Sequence, residues 1–255
     1  NRALWGCVLV SLILTVRRGW PQVGAAARRP GNVMRLAFAG LLVGSNWLGF
    51  LWAVDQRLVI AGSLGYFLTP LVNVLLGMLV LKERLNGKEW AAVGLAVAAV
   101  GNEFIALGSL PWVSLFLGGT FGLYGLVRKQ VPVDAVSGLW LETLAMLPLV
   151  GVYALWQGSQ GHAVFTGHDG LTDFLLGMSG VMTALPLMLF AAATQRLNLA
   201  TVGMLMYINP TMQLVTAVWI FGEELQPARL VTFGLIWAGL LCYSWAGWEK
   251  YRQAA

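Results

Sequence analysis

The chain has 255 residues, of which 58% are hydrophobic and 11% are charged, and its mean hydropathy is +0.73. Because soluble domains carry about 25% charged residues, this composition excludes an ordinary water-soluble protein. The net charge of +5 does not indicate a nucleic-acid partner, since the basic residues are spread over short segments between apolar blocks, as in the loops of membrane proteins.

In chain order, the apolar residues form nine blocks. Most of them are close to the length of about 20 residues with which a helix crosses about 30 Å of hydrocarbon. The sequence therefore predicts an all-α integral membrane protein in a lipid bilayer, with nine transmembrane helices. The blocks cover approximately residues 3–16, 34–54, 58–81, 90–107, 110–127, 138–157, 174–194, 200–221 and 229–247.

The two halves of the chain resemble each other. A shift of 140 positions superimposes Pro70 on Pro210 and Glu83 on Glu223 without a gap, and it places the first four blocks on the last four. The fifth block then has no partner. We therefore expect a ten-helix (5+5) protein whose opening helix is missing here, with a first repeat at residues 1–108 and a second at 109–255.

The distribution of Lys and Arg predicts the orientation. Thirteen of these residues fall on one side of the predicted spans and three on the other, which places the C-terminus in the cytoplasm. An odd number of spans in each repeat requires the second repeat to insert upside down, as in many secondary transporters. The larger group is Arg17, Arg18, Arg28, Arg29, Arg35, Lys82, Arg84, Lys88, Arg128, Lys129, Arg196, Lys250 and Arg252, and the smaller is Arg2, Arg57 and Arg229.

Polar residues and a proline interrupt the third block in the stretch YFLTPLVN. Tyr66, Thr69 and Asn73 follow helical spacing and share one face. The shifted stretch MYINPTMQ places Met206, Asn209 and Gln213 in the same pattern. Because proline has no N–H, Pro70 and Pro210 would free the carbonyls of Tyr66 and Met206 to face a cavity. The alternative is that the polar groups only hydrogen-bond neighbouring helices and the prolines only bend them.

The second block carries the pair Asn46-Trp47, and the shift sets Asn46 opposite another helix-bending residue, Pro186. The candidate solute-binding residues are therefore Asn46, Trp47, Tyr66, Thr69, Asn73, Tyr207, Asn209 and Gln213, with bends at Pro70, Pro186 and Pro210.

Acidic residues in or beside the blocks are also candidates, since a charge within a span is costly. Glu142 is a candidate for proton coupling or for pairing with a basic solute; the alternative is a structural salt bridge near the interface. Glu83 and Glu223 are expected to cap the helix that follows each of them, with gating as the alternative.

The sequence shows no nucleotide-binding loop, nucleophile elbow or cluster of metal ligands. His162 and His168 share one polar loop without a cysteine, and a solvated loop is the preferred interpretation. We therefore expect no enzymatic activity, no catalytic residue, no cofactor and no metal.

The stretches SNWLGFLWAV, SLGYFLTPLVN and YINPT resemble the RarD branch of the drug/metabolite transporter superfamily, whose halves are EamA-type domains. The resemblance implies a ten-helix permease of the bacterial inner membrane, in a branch labelled chloramphenicol-sensitive. It also implies that residues 110–247 form a complete second EamA repeat.

Together these features predict a secondary active transporter that moves a small organic solute by alternating access. Because the candidate site contains no basic residue, an amino-acid-like metabolite or a drug fits better than a phosphorylated solute, with protons as the candidate coupling ion. Two alternatives remain open: a membrane-embedded enzyme that uses Glu142 on a lipid-linked substrate, and a passive channel.

Overall fold

The computed structural model of the protein describes residues 2–56, 58–107, 112–160, 170–219 and 227–254. These residues form eleven α-helices and no strands. The helices are α1 (Arg2–Val16), α2 (Trp20–Ala27), α3 (Pro30–Asp55), α4 (Val59–Leu79), α5 (Gly87–Leu107), α6 (Trp112–Gln130), α7 (Ala135–Ser159), α8 (Gly170–Arg196), α9 (Leu199–Met206), α10 (Ile208–Trp219) and α11 (Pro227–Ala254).

Every apolar block contains helix where it is described, which confirms the all-α prediction. Among the described residues, four helices are long and apolar enough to cross a membrane: Pro30–Asp55, Ala135–Trp156, Gly170–Arg196 and Leu230–Glu249. The pair α1 and α2, bent by 115°, would make a fifth span. The count of nine transmembrane helices stays a prediction.

The segment 17–33, which the sequence suggested as a connection, instead holds α2 and the start of α3. Arg18 takes a left-handed conformation with φ 53° at the turn, and Pro21 lies in the first turn of α2, where a missing N–H costs nothing. Val23 and Ala26 are buried, and the Trp20 ring meets that of Trp140 edge-on at 5.3 Å. Because α2 has only 8 residues, of moderate apolarity, it does not form a long apolar block in the sequence.

The chain divides into two compact units, neither of which follows the predicted repeats. Unit 1 consists of Asn1–Gly44 and Val127–Arg196, and unit 2 of Ser45–Leu126 and Leu197–Ala255. Each unit therefore draws helices from both halves of the sequence. The repeat boundaries at 108 and 109 stay a prediction, since a repeat is defined by ancestry and a unit by packing.

Small residues bring the helices of unit 1 together. A Cβ added at Gly180 would lie 2.6 Å from the backbone carbon of Trp5. One added at Gly40 would lie 2.8 Å from the carbonyl oxygen of Glu142, and one at Gly44 would lie 2.5 Å from Cε of Met146. The spacing of Gly40 and Gly44 thus serves packing of α3 against α7 within the unit.

Unit 2 has its core between α4, α5, α9 and α11. Phe67, Tyr207 and Ile236 are buried there. Asn86 and Glu89 cap the start of α5 reciprocally: the Glu89 N–H donates to Oδ1 of Asn86 at 2.8 Å, and the Asn86 N–H donates to Oε2 of Glu89 at 2.7 Å. This unit carries all the candidate solute-binding residues.

Candidate functional site

Two glycines of α6 allow it to lie directly against α4. A Cβ at Gly118 would lie 3.2 Å from Cβ of Leu68, and one at Gly122 would lie 3.1 Å from Cβ of Val72. The same Gly122 position is 3.5 Å from Oδ1 of Asn73. Gly118 and Gly122 therefore form a packing surface inside unit 2.

On its other side, α4 meets α9 at an equally close crossing. A Cβ at Gly203 would lie 2.6 Å from the carbonyl oxygen of Pro70 and 3.0 Å from Cβ of Asn73. Only glycine fits between these backbones without a shift. The crossing places Pro70 and Asn73 of the first half against the MYINPTMQ region of the second half.

The amide of Asn73 is fully buried between α4, α6 and α9. Its Nδ2 donates to the sulfur of Met206 at 3.3 Å, which is a weak acceptor. Its Oδ1 has no hydrogen-bond partner among the described residues. An unpaired buried oxygen of this kind costs about 1–3 kcal/mol, and such groups are rare in folded proteins. Asn73 is therefore the strongest candidate in the structure for a group that binds solute.

Tyr207 lies at the break between α9 and α10, and its side chain is fully buried. Its hydroxyl donates to the carbonyl oxygen of Phe67 at 3.2 Å. Phe67 and Tyr207 are 140 positions apart, so the symmetric positions of the two halves contact each other. Pro210 follows in the first turn of α10, where its missing N–H leaves no helical bond unmade.

The two prolines thus act differently in the two halves. Pro70 lies inside α4, which continues through it, whereas the second-half helix is interrupted at Tyr207. The freed carbonyl of Tyr66 stays a prediction, and the hydroxyl of Tyr207 binds the next carbonyl along α4, that of Phe67.

The side chains of Tyr66 and Thr69 are less accessible to a solute than their spacing suggested. Thr69 is buried, and its hydroxyl donates to the carbonyl of Gly65 in its own helix at 2.8 Å. Tyr66 is half-buried, with its ring centroid 6.1 Å from that of Phe50. Both side chains take part in helix packing in this state.

Asn46 joins α3 to α6 within unit 2. Its Nδ2 donates to the carbonyl oxygen of Leu117 and to the hydroxyl of Thr120, both at 2.8 Å. Its neighbour Trp47 is half-buried. Asn46 therefore contacts the helix that packs against Asn73, one helix away from the α4–α9 crossing.

The remaining candidates are dispersed. Asn209 is exposed on α10. The side chain of Gln213 lies outside the described part of the chain. Pro186 is an exposed residue inside α8, in unit 1, so its site role stays a prediction.

Glu142 forms a buried ion pair in unit 1. Its Oε1 lies 3.2 Å from Nε of Arg128, and both side chains are almost wholly excluded from solvent. Arg128 was expected in the loop after the fifth apolar block, and this was wrong: it lies in the last turn of α6, in space left by Gly138. Gly138, four residues before Glu142 on the same face of α7, was the signal that could have revealed the pair.

Glu83 was expected to cap the following helix, α5, and this was wrong. Asn86 caps α5, whereas the carboxylate of Glu83 accepts the N–H groups of Leu199 and Ala200 at the start of α9, at 2.7 and 3.0 Å. Its shifted counterpart Glu223 lies outside the described residues.

Comparison with known proteins gives consistent matches. The EamA-like transporter family matches residues 1–101. An uncharacterized transporter of Vibrio cholerae is 39% identical over 100% of this chain and 84% of its own length. The protein RarD of Salmonella typhi is 40% identical over 95% and 83%, and the chloramphenicol-sensitive protein RarD of Pseudomonas aeruginosa is 32% identical over 100% and 86%.

A solved crystal structure shares the fold, with a TM-score of 0.69 over 96% of this chain and 86% of that one, at 18% identity. The apolar helical spans and the related transporters together show a multi-pass α-helical membrane transporter of the inner membrane. The chain belongs to the RarD branch of the drug/metabolite transporter superfamily, with an EamA-type domain.

Proposed function

We propose that the protein is a secondary active transporter, not an enzyme, which moves a small organic metabolite or drug across the bacterial inner membrane by alternating access. The observation that carries this proposal is the buried amide of Asn73 at the α4–α9 crossing, whose oxygen has no partner among the described residues. A solute N–H group could satisfy that oxygen, and the gain would be large because the site excludes water.

The chemistry of the crossing favours a neutral or zwitterionic solute. The candidate residues of unit 2 offer amides, hydroxyls and an indole but no formal charge: Asn46, Trp47, Tyr66, Thr69, Asn73, Tyr207, Asn209 and Gln213. A phosphorylated solute would need a cation for its charge in such a place. An amino-acid-like metabolite or an uncharged drug is therefore the proposed class.

The burial of Thr69 and Asn73 fits a carrier better than an open pore. Both side chains are inaccessible in this state, so a solute could reach them only if the helices around them move apart. A carrier requires such movement in every cycle. The same proposal includes two five-helix inverted repeats, nine spans in this chain and a cytoplasmic C-terminus.

Proton coupling through Glu142 is a separate part of the proposal. A coupling carboxylate alternates between binding a proton and binding a positively charged partner. In this structure Glu142 is paired with Arg128, with Nε and Oε1 3.2 Å apart. Proton uptake would therefore require the pair to separate. Driving uptake with an imposed pH gradient tests this directly.

The deciding experiment is counterflow in proteoliposomes that contain the purified full-length protein. Vesicles are loaded with each unlabelled solute of a metabolite and drug panel, and uptake of external tracer is followed. A carrier accumulates tracer transiently above equilibrium, whereas a channel only equilibrates it. Chemical conversion of the tracer would identify an enzyme instead, and the absence of counterflow for every solute would contradict the proposal.

A further inference from the structure

The N-terminus of α9 is capped by a side chain from a distant part of the chain. The carboxylate of Glu83 accepts the N–H of Leu199 through Oε1 at 2.7 Å and the N–H of Ala200 through Oε2 at 3.0 Å. These are the first two N–H groups of the helix, which have no partner inside it. The residue in the usual capping position, Asn198, makes no side-chain cap. Glu83 thus takes over that role from 116 positions away.

The end of α4 is shaped to present this carboxylate. Lys82 takes a left-handed conformation with φ 56°, which turns the chain back on itself. The N–H of Glu83 then donates to the carbonyl of Gly77 at 3.0 Å. A Cβ at Gly77 would lie 2.6 Å from Oε2 of Glu83, so glycine is what leaves room for the carboxylate beside α4.

The contact between Glu83 and α9 is strong, and only water could replace the carboxylate as the acceptor of the two N–H groups. A carboxylate with two N–H donors makes charge-assisted bonds, and its negative charge also favours the N-terminal end of the helix dipole. Leu199 and Ala200 are almost fully buried, so their N–H groups cannot turn to water while α9 stays in place. Breaking the contact therefore requires this end of α9 to separate from α4 and become hydrated.

The other end of α9 is held independently. There the hydroxyl of Tyr207 binds the carbonyl of Phe67, and Met206 contacts the amide of Asn73. Loss of the Glu83 contact would thus free one end of α9 while the other end keeps its hold on the candidate solute site. Glu83 and the start of α9 both lie on the side that the basic residues predict to be cytoplasmic.

We propose that Glu83 is a positioning residue for transport, and we call its contact with the N–H groups of Leu199 and Ala200 the Glu83 latch. The latch is closed in the state described here, and it opens when this end of the α4–α9 crossing admits water and solute. This inference rests on the carrier function proposed above. It predicts that the latch sets the balance between two states of the transporter, in addition to its effect on stability.

The test compares two changes that break the latch with two that do not. Glu83→Ala removes the carboxylate. Gly77→Ala keeps Glu83 in the sequence but displaces its carboxylate from the start of α9. Glu249→Gln is the matched charge control, at an exposed glutamate paired with Lys88. Gly94→Ala is the matched glycine control, because a Cβ there meets nothing within 4 Å.

Hydrogen exchange of the peptide that contains Leu199 and Ala200 is measured by mass spectrometry on the full-length protein in lipid. We expect exchange to be at least several-fold faster in Glu83→Ala and Gly77→Ala and unchanged in the two controls. Glu83→Gln, which keeps the shape and one carbonyl acceptor, should fall between Glu83→Ala and the unsubstituted protein.

Counterflow kinetics supply the second measurement. Because a shift between two states changes apparent affinity, the latch variants should change the half-saturation concentration of the solute by several-fold as well as the maximal rate. Unchanged exchange in both latch variants would overturn the inference. So would equal acceleration in the controls, or faster exchange with an unchanged half-saturation concentration, which would indicate only a structural cap. Absence of counterflow from the unsubstituted protein would overturn the proposed function and, with it, the transport role of the latch. The hydrogen-exchange comparison needs no solute, so its result is independent of the proposed function.

Discussion

Arg128 and Glu142 form an ion pair that is closed off from solvent, with Nε and Oε1 3.2 Å apart. Nη2 of Arg128 also donates to the carbonyl of Ala135 at 3.3 Å. Arg128→Gln would leave the carboxylate buried without its counter-charge. We expect the free energy of unfolding to fall by about 3–5 kcal/mol, measured as the loss of folded protein on heating or denaturation in detergent.

Removing both charges should be far less harmful than removing one. In the double variant Arg128→Met with Glu142→Leu, we expect stability to return to within about 1–2 kcal/mol of the unsubstituted protein, since apolar residues of similar volume commonly replace buried ion pairs. A double variant as unstable as Arg128→Gln would show that the pair contributes more than mutual charge compensation.

The same double variant tests proton coupling. If Glu142 is the coupling group, an imposed pH gradient should no longer drive uptake, while counterflow without a gradient should continue. The measurement is initial uptake into proteoliposomes with and without the gradient. Gradient-driven uptake that survives the loss of Glu142 would rule out this role.

Gly138 provides an independent test of the buried arginine. A Cβ at this position would contact Nη1 of Arg128 and lie 2.7 Å from Cζ. We expect Gly138→Ala to destabilise the protein by about 1–3 kcal/mol, as overpacking does. Gly151→Ala in the same helix is the matched control, because nothing lies within 4 Å of its added Cβ. Equal effects of the two changes would mean that the space beside Arg128 is not limiting.

The sequence predicted the helical elements well, because long apolar blocks have few structures available to them in a membrane. It missed α2, which is short, and it placed Arg128 in a loop, because a single charge at the end of a block is ordinarily interfacial. Burial of Arg128 depends on Glu142 and Gly138 from another helix, and no local pattern in α6 indicates them.

For the candidate site, residue spacing predicted which helices carry recurring polar groups but not the partners of those groups. The pattern around Asn73 and its shifted copy predicted that polar groups would recur in both halves, and the structure brings α4 and α9 together. It could not predict that Tyr207 would bind Phe67 or that Glu83 would cap α9 instead of α5. Such contacts join residues more than 100 positions apart and are fixed by packing.

Gly203 sets the distance between α4 and α9. An added Cβ would lie 2.6 Å from the carbonyl oxygen of Pro70, so Gly203→Ala must push the helices apart. We expect a loss of about 1–3 kcal/mol in stability and at least tenfold slower counterflow. Gly234→Ala in α11, whose Cβ meets nothing within 4 Å, should leave both unchanged. Normal counterflow in Gly203→Ala would show that the close crossing is dispensable for transport.

A substitution of Asn73 is expected to affect transport and stability differently. Its amide oxygen is buried without a partner among the described residues, and its Nδ2 donates to the sulfur of Met206. Asn73→Leu, which has similar volume, removes this uncompensated polar group, so the free energy of unfolding should stay within about 1 kcal/mol or rise.

Counterflow in Asn73→Leu should nevertheless be lost, because leucine cannot accept a hydrogen bond from a solute. Asn102→Leu is the matched control: Nδ2 of Asn102 donates to the hydroxyl of Thr232 at 2.9 Å. Losing that bond should cost about 1 kcal/mol while transport continues. A stable Asn73→Leu protein that transports normally would remove Asn73 from the site, whereas an unstable one would show that the amide is needed for the fold.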